Sequence, residues 1–378
     1  MRKILVVSER RADYSRFKPI LLKLREDPFF DVKIVVTGIS LLKEHGEDIN
    51  RIKDDGFEIY STIEMFQNTR PDSGGEMVRG ISRVLDGIVP ILETYSPDLL
   101  LSGFDIGANF AATVAAAHMN IPIAHIQGGE ITGSIDESLR HAMSKFSHIH
   151  FVSTKDAKNR LIRMGEHPHS IYVVGCPSLD MLLHAPIIPQ KDLEAKFHID
   201  FTKPNIILIQ HPVTTEADES LSQIKKTIQA IRTLNIQTLA ILPNNDAGYS
   251  KIITELKHSG ITWVPSLSVE EFSNIYKHTW AIVGNSSSGI HEAPSMKVPT
   301  VNIGTRQQGR LRTESVIDVP YDSNKIEKAI RKAVFDKNFR KLVKEITNPY
   351  GNGNSASKIV KILKKVSLKG IIQKKFYE

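Results

Sequence analysis

The sequence predicts an α/β protein made of two doubly wound, Rossmann-like halves, and three observations carry that expectation. Short β-branched runs alternate with longer helical patterns along the whole chain. The runs are continuously apolar rather than alternating, which suits parallel strands covered by helices on both faces. Nearly every unusual polar cluster follows directly after one of these runs, where open α/β sheets bind their ligands.

In chain order the strand candidates are Lys3–Ser8, Val32–Gly38, Asp98–Gly103, Ile121–Gln127 and His148–Ser153. A second series follows at Ser170–Gly175, Asn205–Gln210, Thr238–Pro243, Thr262–Ser266, Trp280–Asn285 and Pro299–Gly304. Segments such as "FKPILLKLRED" and "SLSQIKKTIQAIRTL" between them carry apolar residues at helical spacing. Pro177, Pro186 and Pro189 interrupt the pattern, so a first domain is expected over 1–176 and a second over 177–360. A helical tail over 361–378 is expected to pack across them, its "KIVKILKKV" being amphipathic.

A chain of 378 residues is long enough for two cores, and 41% hydrophobic with 24% charged residues is the composition of a globular protein. No apolar run reaches transmembrane length and the one at the start is too short for a signal peptide, so no membrane association and a cytoplasmic location are expected. Cys176 is the single cysteine, which excludes an internal disulfide and any multi-cysteine metal site. The net charge of +7 suits an anionic ligand. The basic C-terminal stretch reads as a solvated helix face and lacks interleaved aromatics, so no nucleic-acid partner is expected. Neither G-x-G-x-x-G nor G-x-x-x-x-G-K-[ST] occurs, and no histidine cluster has zinc spacing. No dinucleotide, P-loop or metal cofactor is therefore expected.

The polar clusters give the candidate residues. "GNSSSGIHE", Gly284–Glu292, runs from a strand into a glycine, three serines and a helix start. Backbone N–H groups and hydroxyls there can hold phosphate oxygens, and Glu292 can accept hydrogen bonds from ribose hydroxyls. Alone the motif would also read as a capping turn; among seven clusters in register it reads as a phosphate site. "GTRQQGRLR" adds Arg306, Arg310 and Arg312, able to neutralise a diphosphate. "ERRADYS" places Arg10, Arg11, Asp13 and Ser15 after the first strand, and "HPVTTE" and "PNND" follow two strands of the second half. The densest segment is "HIQGGEITGSIDESLRH", His125–His141. There Asp136 reads equally as a helix N-cap, and His125 and His141 as structural or functional.

Together, "RADYS", "GGEITGSIDESLRHAMSKFSHIH", "GCPSLD", "QHPVTTE", "PNNDAG", "GNSSSGIHE" and "VNIGTRQQGR" resemble the hydrolysing UDP-N-acetylglucosamine 2-epimerases of sialic-type acid synthesis, in the family's order and over most of the chain. The resemblance implies a glycosyltransferase-B type pair of domains around a cleft, the first on the sugar side and the second binding UDP. It implies that UDP-N-acetylglucosamine and water become N-acetylmannosamine and UDP, by anti elimination of UDP to a 2-acetamidoglucal and syn hydration. No cofactor is implied; the partners are the UDP-sugar, UDP and further copies of the chain in a dimer or tetramer. Carried over by position, Ser286, Ser287 and Arg306 hold the diphosphate, Glu292 the ribose, and Arg11, Ser15, His211 and Asn244 line the nucleotide site. Asp105 and Asp136 match catalytic carboxylates.

Two positions depart from that pattern. Ile106 stands where relatives carry an arginine beside the aspartate, and Gln127 where they carry a catalytic glutamate. An amide is no general base, so Glu130 takes part of that role or the chemistry is divided differently. Both departures adjoin the sugar site, which brings in UDP-N,N'-diacetylbacillosamine as an alternative substrate on the legionaminic-acid route. A non-catalytic nucleotide-sugar binding protein is the alternative of another class, and Gln127 is the feature that favours it.

Overall fold

Strand pairing is parallel throughout, because the chain returns to the sheet through crossover connections, most of them helical and that from β12 to β13 a loop. A computed structural model describes residues 1–42, 48–66 and 72–378. Its elements begin with β1 (Arg2–Ser8), α1 (Arg11–Glu26), β2 (Phe30–Thr37), α2 (Asp48–Asp54), β3 (Ile59–Ile63), α3 (Gly74–Tyr95) and β4 (Leu99–Gly103). They continue with α4 (Gly107–His118), β5 (Ile123–Ile126), α5 (Ile135–Phe146), β6 (Ile149–Val152), α6 (Lys155–Arg163), β7 (Ile171–Val173) and α7 (Ser178–His184). Next come α8 (Gln190–Phe197), β8 (Asn205–Ile209), α9 (Ser220–Leu234), β9 (Gln237–Ile241), α10 (Tyr249–His258), β10 (Thr262–Val264), α11 (Val269–His278) and β11 (Ala281–Gly284). The last are α12 (Ser288–His291), β12 (Thr300–Ile303), β13 (Val316–Val319), α13 (Ser323–Phe335), α14 (Lys337–Glu345) and α15 (Ser355–Lys365).

The first sheet has the order β3-β2-β1-β4-β5-β6-β7 and the second β10-β9-β8-β11-β12-β13. Strand order therefore reverses between β1 and β4 in one sheet and between β8 and β11 in the other. These switch points open the sheet edge to a ligand, because the loops on either side of them diverge. Every strand read from the sequence is present. Two more, β3 and β13, lie at sheet edges and are mostly half-exposed, so they lack the continuous apolar run that marks their neighbours.

The chain divides into two units: Met1–Glu130, Ile135–Asp180 and Gly353–Glu378 form the first, and Ile131–Ser134 with Met181–Asn352 the second. In the first unit β1 sends Ile4 and Val6 to one face, where they meet Phe17 and Leu21 of α1. Leu5 and Val7 go to the other face, against Val84 and Ile88 of α3 and Ala108 and Ala112 of α4. The second unit has such a core on Leu208, Val283 and Val301 under α9 and α13. No helix among the described residues is long and apolar enough to cross a membrane.

The segment from Gly353 returns to the first unit. Both oxygens of the Asp180 carboxylate accept the first N–H groups of α15, from Ser355 at 2.9 Å and Ala356 at 2.8 Å. That anchors a helix N-terminus whose own Asn354 makes no side-chain cap. Ile359 and Leu363 of α15 are fully buried beside α1, worth about 1.5–3 kcal/mol each, while Lys364 pairs with Asp27 on the outside. Within α15 the basic residues thus form a solvated face over an apolar one, whereas the rest of the basic stretch, beyond Lys365, is not helical.

Candidate active site

In the first unit the polar groups gather at the β1–β4 switch point. β1 ends in Ser8, and Glu9 then turns inward, accepting the N–H of Ala108 at 2.8 Å in the first turn of α4. Arg10 caps α1; its N–H donates to Asp13 Oδ2 at 3.0 Å, and Asp13 is fully buried. Burial raises the Asp13 pKa, the nearby Asp105 adding to it and Arg10 and Arg16 working against it. Arg11 is the first residue of α1 and half-buried, and the hydroxyl of Ser15 one turn on donates to Ala12 O at 2.9 Å.

Asp105 follows β4 after Phe104, which has a φ of 71°. A bulky residue in that left-handed region costs of the order of 1–3 kcal/mol, a strain that collects at functional sites. The His125 imidazole lies 3.3 Å from the Phe104 carbonyl and 3.1 Å from the Ser144 hydroxyl of α5. Burial first, and then the neighbouring charge of His150, push His125 down to about 3. It is therefore neutral, with Nε2–H donating to Phe104 and Nδ1 accepting from Ser144. This settles His125 as a structural histidine.

The centre of this region is Arg140, which is 1% exposed. Its guanidinium pairs with the Asp105 carboxylate and donates to the Glu130 carbonyl at 2.8 Å. Asp136 precedes it by four residues in the first turn of α5, on the same helix face. Burial alone would lower the Arg140 pKa, but Asp105, Glu130 and Asp136 outweigh it and raise it. Three of the carboxyl groups expected from the sequence thus act on one buried cation.

Gln127 is buried, with a φ of 62°. Its amide nitrogen lies 3.2 Å from Glu130 Oε1 and 3.4 Å from the sulfur of Cys176, while its Oε1 is buried with no hydrogen-bond partner. Gln127 therefore donates to Glu130 rather than taking its proton. Cys176 is fully buried beside it and packs as a small residue. Gly129 has a φ of 77°, and a Cβ there would lie 2.5 Å from Ala157 O, so only glycine carries the chain past α6.

The second unit assembles its groups at the β8–β11 switch point. Asn285, directly after β11, accepts the His211 N–H at 2.7 Å and donates to the His211 carbonyl at 2.8 Å. This reciprocal pair staples the loop after β8 to the loop after β11. His211 Nδ1 in turn accepts the Asn244 N–H at 3.2 Å. Gly284 has a φ of 126°, and a Cβ there would lie 2.0 Å from Ile209 O, so the strand ends in a turn that no other residue fits.

Ser287 caps α12, a single turn. The helix stops there because Pro294, three residues beyond its last residue, lacks an N–H and disfavours helical geometry before it. Glu292 thus closes a one-turn helix rather than lying inside a long one; it is 6% exposed and its Oε2 has no hydrogen-bond partner among the described residues. The carbonyl of Asn285 accepts from Arg306 at 3.3 Å and Gln307 at 2.9 Å, which brings the loop after β12 to the same place. Arg310 donates to Gln307 Oε1 at 2.9 Å, whereas Arg312 pairs with Asp318 on the edge strand β13.

The structure thus brings together Asp105, Gln127, Glu130 and Asp136 in one unit, and His211, Asn244, Ser286, Ser287 and Arg306 in the loops of the other. Sequence reasoning missed Arg140 and Asn285. Arg140 sits inside "SLRH", which reads as a helix surface, and its i+4 spacing from Asp136 was the available signal. It stands with Asp105, the aspartate next to which Ile106 replaces an arginine. Among the described residues no group of three or more His, Cys, Asp or Glu side chains could hold a metal ion.

Two parallel, doubly wound units of this kind define the glycosyltransferase-B class of fold. Residues 22–364 match the family described as UDP-N-acetylglucosamine 2-epimerase, and the chain belongs to that family. It is 36% identical over 373 residues, 97% of both chains, to a UDP-N,N'-diacetylbacillosamine 2-epimerase (hydrolyzing) of Legionella pneumophila. It is 32% identical over 341 residues, 88% of both chains, to a UDP-N-acetylglucosamine 2-epimerase of Neisseria meningitidis serogroup B. A solved Neisseria meningitidis UDP-GlcNAc 2-epimerase, crystallised with UDP-GlcNAc, shares the fold with a TM-score of 0.80 at 21% identity, over 96% of this chain and 100% of that one.

Proposed function

We propose that the protein is a hydrolysing UDP-N-acetylglucosamine 2-epimerase that releases UDP and N-acetylmannosamine. The observation that carries this reading is the Asp105 carboxylate paired with the buried Arg140, which stands one turn after Asp136 on α5 and donates to the Glu130 carbonyl. The C2 proton of the sugar is barely acidic, so scission of the C1–O bond must lead. UDP departs with the bonding pair, C1 gains oxocarbenium character, and a carboxylate takes the C2 proton to leave the C1=C2 double bond of the 2-acetamidoglucal. Water then returns hydroxyl to C1 and a proton to C2 on the same face, giving the manno configuration. Both steps need carboxylates held ionised close to the sugar. Asp105 is paired with Arg140, Asp136 stands in the first turn of α5, and Glu130 takes the base role that Gln127 cannot, with the Gln127 amide fixing its Oε1.

In the second unit Ser286, Ser287 and Arg306 would take the diphosphate, whose growing charge they stabilise as it leaves. Glu292, with a buried unpartnered oxygen, would accept the ribose hydroxyls. His211, Asn244, Arg11 and Ser15 would complete the nucleotide site.

A second reading keeps the chemistry and changes the sugar to UDP-N,N'-diacetylbacillosamine. Gln127 favours it, as does the relative of that name at 36% identity. Purified protein incubated separately with the two UDP-sugars tests all of this. Free UDP with a manno-configured free sugar supports hydrolytic epimerisation, and the faster substrate decides between the readings. An epimer still joined to UDP, or tight UDP binding without turnover, would refute it, the latter in favour of a nucleotide-sugar sensor.

A further inference from the structure

The C-terminal stretch after α15 is bound back onto the first unit by contacts the proposed reaction does not use. Lys374 Nζ donates to the carbonyls of Ser144 at 3.2 Å and Lys145 at 2.8 Å, in the last turn of α5. Carbonyls in a helix's last turn run short of backbone donors, the Ser144 one taking only the Ser147 N–H at 3.2 Å from just beyond the helix, and a cation there also answers the negative end of the helix dipole. The same ammonium meets Glu166 Oε2 at 2.6 Å, while Lys145 meets the other Glu166 oxygen at 2.7 Å.

Glu166 is 1% exposed and also accepts from His150 Nε2 at 3.0 Å. Burial would raise its carboxyl, but His150, Lys145 and Lys374 together hold it down at about 2. The stretch is seated at further points. His148 Nδ1 accepts the Ile123 N–H at 3.0 Å, so its Nε2 carries the hydrogen and donates to Ile372 O at 3.2 Å. Tyr377 N–H donates to Gly165 O at 3.0 Å, and the Phe376 ring fills the space where a Gly165 side chain would be.

What Lys374 holds is the helix that carries Arg140 one turn back from Ser144 and Asp136 in its first turn. Ser144, whose carbonyl Lys374 takes, also gives its hydroxyl to His125, and His125 fixes the carbonyl of the strained Phe104 beside Asp105. A rigid helix of twelve residues passes any displacement of one end to the other. We propose that Lys374 is a positioning residue for the first unit's site: it clamps the C-terminal turn of α5 through Ser144, Lys145 and Glu166, and so sets Asp136 and the Arg140–Asp105 pair. This rests on the reading above that Asp136 and Asp105 act on the sugar.

The test uses the full chain with Lys374→Met and Lys374→Arg, measuring turnover, UDP affinity and amide hydrogen exchange over α5. Loss of the ammonium should lower kcat about tenfold, a displacement effect, while KM and UDP affinity stay within about twofold. The α5 amides should exchange about tenfold faster, and Lys374→Arg should restore most of both. Unchanged α5 exchange in Lys374→Met overturns the clamp; faster exchange with unchanged kcat overturns the positioning role. If the wild-type protein turned over neither UDP-sugar, the functional reading would fail by itself, and α5 exchange would still decide the clamp. Should Lys374→Met not fold, Phe376→Ala, at a largely exposed ring, should show the same pattern at about threefold, and unchanged α5 exchange there refutes the proposal.

Discussion

The two units build their polar sites at equivalent points of their sheets but by opposite means. In the first, charge is gathered and locked before any ligand arrives: Arg140 is buried and its guanidinium already paired with Asp105. In the second, neutral groups do the holding, with Asn285 joining two loops by amide hydrogen bonds and Glu292 keeping a buried oxygen unpartnered. A site that must move protons needs carboxylates whose ionisation is fixed by their surroundings. A site that must grip and release a diphosphate needs donors set in shape. The comparison predicts that substitutions in the first unit strike chemistry and stability, and those in the second strike affinity.

Asp136→Asn should break that division most sharply. It keeps the shape and removes a carboxylate that the proposed reaction uses, so turnover should fall by about 10²–10⁴ while UDP affinity stays unchanged in calorimetry; surviving turnover would remove Asp136 from the mechanism. Arg140→Met comes next, leaving Asp105 without its partner in a buried setting. It should destabilise the fold by about 3–5 kcal/mol, seen as a lower urea midpoint for the first unit. Ser287→Ala combined with Arg306→Ala should instead weaken UDP binding about 10–100-fold with little change in the urea midpoint. Unchanged affinity would move the diphosphate elsewhere.

Gln127→Glu sharpens the comparison inside the first unit. A second carboxylate against Glu130 raises the proton affinity of the pair, so the acid limb of the rate profile should shift up by about one pH unit. The smallest effect at neutral pH concerns His125. Its folded pKa of about 3 lies below the ordinary 6.5, so the unfolded chain binds more protons between those values. Its contribution to stability is complete above pH 6.5 and is lost as pH falls toward 3, by up to about 1.4 kcal/mol per pH unit. His125→Gln should flatten that part of the stability curve in acid denaturation.

Much of this was legible in the sequence because central parallel strands are apolar on both faces. β1, β4, β8 and β11 announce themselves, and the loops after them must carry the polar groups. β3 and β13 did not, because Ser61 and Thr62 in one and Asp318 in the other break the apolar run. Asp105, Glu130 and Asp136 were legible as carboxylates after strands. Their convergence on Arg140 was not, since it depends on how α5 lies against the loop after β4. Lys374 was hidden for the same reason: a lysine in a basic tail looks solvated until the fold places a buried Glu166 beneath it. Asn285 looked like one more residue of a serine-rich turn, and only the pairing of β8 with β11 shows what it joins.

The most direct test is the reaction run in heavy water with the preferred UDP-sugar. If the first unit's carboxylates take the C2 proton and hydration returns one from solvent, the free manno product will carry deuterium at C2, with one UDP released per sugar. A product that keeps its original C2 hydrogen, or that remains attached to UDP, would contradict the account.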